Sequence, residues 1–375
     1  MKVRYISSFA VGTLHAMVNK ALLGMVCRIF PGQVECYASA SAMPHLEVDD
    51  APMHRLHIPA GASRPRMLLR YLASAAANIR LLLTSRPGDL LIYNFNNVMS
   101  LRAIDFINRR LRRRIVIFCH GEMEYLTNSG RHTRAYKRLM SRLTCSYFRR
   151  RDAAPGMRFV VLGDVILRNL RPLLSEAMYE RFESIDHPLI MPDAEPAPRT
   201  PGRPLNIGTA GILNSYKGSD RLLELARRLK GNPAVKLHVV GHMQCDPRPY
   251  AEAGVTLPPD PTRPLEPDDF AARVGALDYI LLLYPTDTYR LIASGAVLDC
   301  LRYGKPLVGL RTEYFQYLFD KFGAFGMLAD DMGELESIIA TLPAEATPPY
   351  EAMRRAAAAL SPEALTPRLR RILTR

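Results

Sequence analysis

The 375-residue sequence has no tryptophan and no pair of cysteines in the C-x-x-C spacing. Its six cysteines are irregularly spaced, so we expect reduced thiols in a reducing compartment and neither a disulfide framework nor a zinc site. No apolar run reaches the roughly 18 residues that a membrane-spanning helix needs. The N-terminal residues are too polar for a secretion signal and are typical of a first strand. The composition, 48% hydrophobic and 23% charged, excludes a disordered chain.

The formal charge of +14 is confined to one half of the sequence. Residues 1–187 contain 28 Lys and Arg against 14 Asp and Glu, whereas residues 188–375 contain 22 of each kind. Residues 102–151 alone hold 14 basic and three acidic side chains. This asymmetry indicates an anionic partner, which can be a membrane surface, a nucleic acid or an acidic substrate.

Part of this basic segment has the periodicity of an amphipathic helix. One face carries apolar side chains, namely Tyr136, Met140, Leu143 and Tyr147. Another face carries arginines at i, i+4 spacing, namely Arg134, Arg138 and Arg142. Such a helix either lies on anionic lipid or packs its apolar face into its own domain.

Short apolar or β-branched runs alternate with helix-length stretches along the whole sequence. The predicted strands are Val3–Phe9, Gln33–Ala38, Leu90–Phe95, Arg114–Cys119, Arg158–Leu162, Leu205–Thr209, Val235–Val240, Tyr279–Tyr284 and Lys305–Leu310. Nearly continuous apolarity within these runs indicates strands that are covered on both faces. The predicted class is therefore α/β, with parallel sheets flanked by helices.

Six prolines fall between His187 and Pro204, and they exclude a regular helix or a central strand there. We therefore expect an N-terminal Rossmann-like domain over residues 1–187. A linker over 188–204 leads to a second Rossmann-like domain over 205–375. The last helix is a candidate to pack back on the first domain.

The second domain opens with a strand, a glycine-bearing loop and an amphipathic helix. Gly208 and Gly211 allow close approach of a ligand to the backbone, and Lys217 places a cation near a helix N-terminus. This arrangement suits a phosphate. The alternative is an ordinary βα turn with a solvated lysine.

A second loop follows the strand that ends at Tyr284, and Ser294 and Gly295 open a helix that carries Asp299. If the two strands are neighbours, both loops line one crevice beyond the carboxyl ends of the sheet. The amides of Ser294, Gly295 and Ala296 would then face a diphosphate. The Asp299 carboxylate suits a bidentate hydrogen bond to a ribose diol, or it is a solvated helix acid.

The first domain has its own candidates at strand ends. His120 follows a buried strand and can accept a proton from an acceptor hydroxyl or hydrogen-bond a sugar. Glu122 and Glu124 follow in the same loop. Gly12 follows the first strand, where it allows close approach of acceptor or donor, or serves a plain turn.

At these residues the sequence resembles the GT-B glycosyltransferases, in particular the retaining, sugar-nucleotide-dependent family four. Gly211, Lys217-Gly218 and Gly304-Lys305-Pro306 match that family's motifs, and Asp299 stands at its ribose-binding Glu. The resemblance implies two doubly wound Rossmann-like domains that face a central cleft. It also implies that the first domain faces acceptor and membrane and that the second binds the nucleotide sugar. Two charges of the pattern are missing, because the phosphate-binding Arg falls at Ile212 and the first Glu at Leu291. Asp287 and Arg290 are candidates to compensate.

The expected function is that of a hexosyltransferase that moves a sugar from a nucleotide-diphosphate donor to a cell-surface polysaccharide or lipid-linked acceptor. The resemblance implies retention of configuration. We expect no metal or other cofactor, because neither loop offers an Asp-x-Asp or His/Cys cluster. We expect a cytoplasmic enzyme, peripherally attached to the inner face of a bacterial plasma membrane through residues 102–151. The alternatives are a non-catalytic nucleotide-sugar-binding protein and a basic nucleic-acid-binding protein, which the lack of an aromatic ladder disfavours.

Overall fold

A computed structural model describes residues 1–61, 63–127, 135–150, 152–192, 204–286, 288–342 and 349–375. Most of the expected linker, Asp287, and Arg131, Arg134 and Arg151 of the basic segment lie outside these ranges. The chain forms two compact units. The first comprises residues 1–190, 291–293 and 360–375, and the second comprises residues 191–290 and 294–359.

The described residues of the first unit form seven strands. In chain order with the intervening helices, they are β1 (Val3–Ser7), α1 (Ala16–Ile29), β2 (Val34–Ser39), α2 (Met43–Leu46), β3 (Met53–Leu56), α3 (Arg64–Leu83), β4 (Leu90–Tyr93), α4 (Val98–Leu111), β5 (Arg114–Phe118), α5 (Ala135–Phe148), β6 (Met157–Val161), α6 (Asp164–Leu170), α7 (Glu176–Tyr179) and β7 (Phe182–Ser184). A short 3₁₀ helix, Gly121–Leu126, follows β5.

In the second unit, five strands are formed by the part of the chain that the structure describes. Its elements are β8 (Leu205–Ala210), α8 (Ser219–Arg228), β9 (Val235–Val240), α9 (Arg248–Glu252), α10 (Pro267–Gly275), β10 (Tyr279–Leu282), α11 (Gly295–Arg302), β11 (Leu307–Leu310), α12 (Glu313–Phe322), β12 (Gly326–Ala329), α13 (Met332–Thr341) and α14 (Tyr350–Ala359). The last helix, α15 (Pro362–Thr374), belongs to the first unit and packs against α1.

Every strand pairing in both sheets is parallel. The first sheet has the order β3-β2-β1-β4-β5-β6-β7, and the second has the order β12-β11-β10-β8-β9. Apolar side chains of α1, α15 and the strands form the core on one face of the first sheet, while α3, α4 and α5 pack side by side. The predicted α/β class, with two doubly wound domains, is confirmed.

Three of the observed strands were not predicted from the sequence, namely β3, β7 and β12. All three are edge strands, and such strands need not be covered on both faces, so they lack a continuous apolar run. In β3, for example, His54 and Arg55 are exposed. The nine predicted strands are all present, with ends that differ by up to two residues.

The apolar side of the basic helix α5 packs inside the first unit. Met140 and Tyr147 are buried, and Tyr136 and Leu143 are half-buried. The hydroxyl of Tyr147 donates a hydrogen bond to the buried Asp105 carboxylate at 3.1 Å. The structure thus shows the second of the two predicted arrangements, in which the apolar face of the helix packs into its own domain. The side chains left in solvent include Arg138 and Arg142.

Candidate functional site

Each sheet has a switch point, where consecutive strands turn to opposite sides. In the first sheet it lies between β1 and β4, and in the second between β8 and β10. Loops that leave the carboxyl ends of such strands diverge and open a crevice for a ligand. Because β8 and β10 are neighbours, the two candidate loops of the second unit leave the same edge of their sheet.

The loop after β8 holds Lys217 in a short 3₁₀ turn. Asn214 caps this turn, since its side-chain oxygen accepts a hydrogen bond from the Lys217 N–H at 3.2 Å. The Lys217 ammonium lies 5.9 Å from the ring centroid of Tyr284, within reach of a cation–π interaction. The pKa of His242 is lowered mainly by burial and also by the positive charge of Lys217. The lysine is therefore directed toward the loop after β10.

Two glycines that carry no ligand role in the sequence prediction allow close backbone approaches at this edge, Gly218 to the loop after β10 and Gly241 to the loop after β8. Gly218 has a φ of +78°, and a Cβ there would lie 1.9 Å from the Leu283 carbonyl oxygen. A Cβ on Gly241 would lie 2.0 Å from the Gly211 carbonyl oxygen. Gly208, by contrast, is packed against the His238 and Leu277 side chains inside the unit. Its lack of a side chain serves packing rather than ligand approach.

Tyr284 links the two loops, although the sequence prediction used it only as a strand end. Its ring is buried, its carbonyl accepts a hydrogen bond from Arg221 at 3.0 Å, and its hydroxyl lies 3.1 Å from the Ser294 hydroxyl. Tyr289, with a left-handed φ of 59°, packs on this ring at a centroid distance of 4.3 Å. An aromatic residue directly after a buried strand was the available sequence signal.

Helix α11 begins at Gly295, as predicted, with Ser294 at the N-cap position. The Ser294 side chain makes no capping hydrogen bond, because its hydroxyl is turned toward Tyr284. Ser294 therefore offers the first-turn amides no side-chain acceptor, and Gly295 is exposed. Such amides, at the positive end of the helix dipole, form a site for an anion.

Asp299 lies one turn into α11 and is half-buried. Burial raises its pKa to about 6, while the positive charges of Lys217 and Arg302 act in the opposite direction. The carboxyl is therefore mostly ionised at pH 7. The arrangement of Gly211, Lys217, the α11 amides and Asp299 can bind an anionic group and accept hydrogen bonds from a neighbouring diol.

At the edge of the first sheet, His120 follows β5 and reaches the residue after β4. Its Nε2 lies 2.8 Å from the Asn94 carbonyl oxygen, so Nε2 carries the proton and Nδ1 is left as an acceptor. Its ring is 5.4 Å from that of His15, at the N-terminus of α1. Burial, with His15 and His187 nearby, lowers the pKa of His120 to about 3. An imidazole with so low a pKa is suited to hydrogen bonding in its neutral form and is a poor proton acceptor.

The two glutamates after His120 are both buried. The Glu122 carboxylate accepts hydrogen bonds from the His120 N–H at 3.0 and 3.1 Å, and burial raises its pKa to about 7. Glu124 accepts a hydrogen bond from the Leu291 N–H at 2.9 Å. Leu291 itself is buried, so the missing glutamate of the family pattern is replaced by an apolar side chain whose amide holds Glu124.

The remaining predicted residues have partners of other kinds. Gly12 has a φ of 54° and donates its N–H to the Ser41 hydroxyl at 3.2 Å. Arg290 forms an ion pair with Glu313 at 3.2 Å. Within the described part of the chain, no group of three or more His, Cys, Asp or Glu side chains is arranged to hold a metal ion. The ligand roles of all these residues stay predictions.

Several solved structures share this architecture. HepE from Anabaena, in complex with UDP-glucose, matches with a TM-score of 0.66 at 14% identity, covering 100% of this chain and 99% of that one. WaaG, a glycosyltransferase involved in lipopolysaccharide biosynthesis, matches with a TM-score of 0.61 at 14% identity over 99% of both chains. CalG4, the calicheamicin glycosyltransferase, gives 0.50 at 16% identity over 100% and 99%.

These structures are GT-B glycosyltransferases, and the two parallel-sheet domains of this chain match their fold. No family model and no curated protein matches the sequence. At such low identity the likeness concerns the fold, so the activity has to be argued from the side chains at the two sheet edges.

Proposed function

We propose that this chain is a glycosyltransferase that moves a hexose from a nucleotide-diphosphate donor to a saccharide or lipid-linked acceptor of the bacterial cell surface. The observation that carries the proposal is the edge of the second sheet at the switch point. There the Lys217 ammonium lies 5.9 Å from the Tyr284 ring, and the Tyr284 hydroxyl lies 3.1 Å from the Ser294 hydroxyl at the start of α11, the helix that carries Asp299. The lysine and the α11 amides neutralise the leaving diphosphate, and Asp299 binds the ribose. The GT-B fold of the solved structures supports this assignment.

UDP-glucose is the first donor to test, because it is bound in the HepE structure. In the first unit, His120 contributes a neutral imidazole that hydrogen-bonds a substrate hydroxyl through Nδ1. We propose metal-independent transfer with retention of configuration, and activity that persists in EDTA is the expected result. Analysis of the product anomer by NMR checks retention.

We further propose that the enzyme works at the cytoplasmic face of the plasma membrane, attached through the basic segment of residues 102–151. Among the described helices, none is both long enough and apolar enough to span a bilayer. The net charge of the first half of the sequence favours an anionic lipid surface over a neutral one.

The first test is a thermal-shift panel of nucleoside diphosphates and their sugars. A ligand that binds only the folded state raises the unfolding midpoint by mass action. UDP release from UDP-glucose, with water as the acceptor, then measures turnover without knowledge of the natural acceptor. No shift with any nucleotide would contradict the proposal.

A second candidate function is binding of a nucleotide sugar without turnover. It is favoured by one observation, the apolar side chains of Ile212 and Leu291 at two positions where the family pattern carries charge. Thermal shifts without sugar release, across donors and a panel of cell-surface saccharide acceptors, would support this candidate instead.

A further inference from the structure

The outer surface of α3, α4 and α5, which we call the outer helical face, presents many apolar side chains to solvent. Six of the thirteen exposed large apolar side chains in the described part of the chain lie on these three helices. They are Leu68, Leu69, Leu72 and Leu83 of α3, Phe106 of α4 and Leu139 of α5. Leu83 is 58% exposed and Phe106 is 61% exposed. Such a concentration in one helical layer indicates an interaction surface.

The same face is basic and has no exposed acid. Its exposed arginines include Arg66, Arg80, Arg102, Arg110, Arg138 and Arg142. The sequences of α3, α4 and α5, all within the described ranges, contain a single acidic residue, Asp105. Asp105 is buried and paired with Arg109 and Arg150, so it offers nothing to a partner. A surface with this charge matches an anionic partner.

Apolar and cationic groups are interleaved on this face. The Arg110 guanidinium lies 5.0 Å from the ring centroid of Phe106, and on α3 the arginines Arg66 and Arg80 bracket the exposed Leu68, Leu69 and Leu72. From Leu69 to Leu83 the helix extends about 20 Å, at 1.5 Å per residue. A bilayer surface has matching chemistry, because lipid phosphates lie outside and acyl chains lie directly beneath them.

We infer that the outer helical face docks on an anionic lipid bilayer, with the leucines of α3 entering the headgroup region and the arginines binding lipid phosphates. The inference rests on the membrane attachment in the proposed function and extends the attached surface from residues 102–151 to α3. The apolar contribution comes from α3, outside residues 102–151, because the apolar side of α5 is packed inside the unit. Attachment then has a hydrophobic part as well as an electrostatic one.

The test is co-sedimentation of the full chain with phosphatidylcholine vesicles, with or without phosphatidylglycerol, at low and high salt. Salt shortens the Debye length from about 10 Å at 0.1 M to about 3 Å at 1 M. We expect binding to the anionic vesicles that weakens with salt without vanishing. The assay needs no nucleotide sugar, so its failure would leave sugar transfer standing, and a failure of transfer would leave docking standing.

Two double variants separate the contributions. Leu69→Gln with Leu72→Gln is expected to weaken vesicle binding about tenfold or more at both salt concentrations, since an inserted leucine contributes roughly that factor. Arg66→Glu with Arg80→Glu is expected to weaken it at least about tenfold at 0.1 M salt and far less at 1 M. All four side chains are exposed, and circular dichroism checks that the variants remain folded.

The matched controls lie on the second unit. Arg227→Glu with Lys230→Glu makes the same change of charge at exposed positions, and Met327→Gln removes an exposed apolar side chain. Both should bind vesicles like the parent chain. Equal binding to neutral and anionic vesicles, no binding to either, or unchanged binding of the leucine variant would overturn the inference. A lipid-free dimer that the leucine variant abolishes would assign the face to a second copy instead.

Discussion

Both sheets place candidate residues at a switch point, but the two edges differ in their charge. In the second unit, Lys217 and Asp299 are charged groups beside helix N-termini, suited to a diphosphate and its ribose. In the first unit, His120 is a neutral imidazole, and burial raises the pKa of Glu122 to about 7. A shared topology therefore fixes where a ligand can lie, whereas local burial and pairing decide which chemistry is available there.

The first prediction, with the largest change in stability, concerns the close approach of the two loops at the second edge. Gly218→Ala should lower the free energy of unfolding by about 3 kcal/mol or more, because it combines a left-handed φ with a clash against the Leu283 carbonyl. Gly231→Ala, just beyond the other end of α8, has a similar φ of +84° and open space, and should cost about 1 kcal/mol. Urea unfolding measures both values. Equal losses would mean that the close approach of the two loops contributes little.

The next prediction concerns the charge of that edge. Lys217→Ala should weaken binding of a nucleoside diphosphate by about 1.5–3 kcal/mol, through loss of a charge-assisted contact. Calorimetry with UDP, or with whichever diphosphate gives the largest thermal shift, measures the change. Lys230→Ala, an exposed lysine beyond α8, is the control and should bind normally. An unchanged affinity in the Lys217 variant would remove this residue from the site.

Removal of the Asp299 carboxylate should stabilise the fold but weaken ligand binding. Its folded pKa is raised to about 6 from the ordinary 3.8, so stability falls as the pH rises from about 3.8 to about 6, and the loss is complete above that range. Asp299→Asn should therefore raise the free energy of unfolding by about 2 kcal/mol at pH 8, allowing for partial exposure. The gain should shrink below pH 6 and disappear at about pH 3 and below, where the carboxyl is largely protonated in both the folded and the unfolded state.

The same variant should bind a ribonucleotide more weakly, since an amide offers a diol one uncharged acceptor oxygen where a carboxylate offers two charged ones. The parent chain should also prefer UDP to its 2′,3′-dideoxy analogue. Equal affinities of the parent chain for the two nucleotides would contradict the ribose contact, whatever the effect on stability.

The smallest expected effect belongs to the first edge. Because the folded pKa of His120 lies near 3, below its ordinary value of 6.5, its contribution to stability is complete above pH 6.5 and is lost as the pH falls toward 3. When the pH falls from 7.5 to 5.5, the free energy of unfolding should therefore fall by about 1 kcal/mol more in the parent chain than in His120→Gln. Urea unfolding at the two pH values measures it. An identical pH dependence in the variant would mean that the imidazole is not held neutral.

Much of the fold could be predicted, because central parallel strands must be apolar on both faces and their runs are visible in the sequence. The edge strands β3, β7 and β12 could not, since solvent on one side relaxes that requirement. The start of α11 at Gly295 was predicted from Ser294 and Gly295. The role of Tyr284 was not, because nothing local shows that its ring lies between Lys217 and Ser294.

Composition and short-range periodicity were enough to predict the α/β class, the confinement of net charge to the first 187 residues, and the glycine-bearing and serine-glycine starts of two helices. Three relations came from the packed structure: which strands are neighbours, which face of α5 is buried, and that the leucines of α3 lie in one helical layer with the arginines of α4 and α5. Such relations join residues far apart in the chain, and the packing of helices against a sheet sets them rather than any local preference of the backbone.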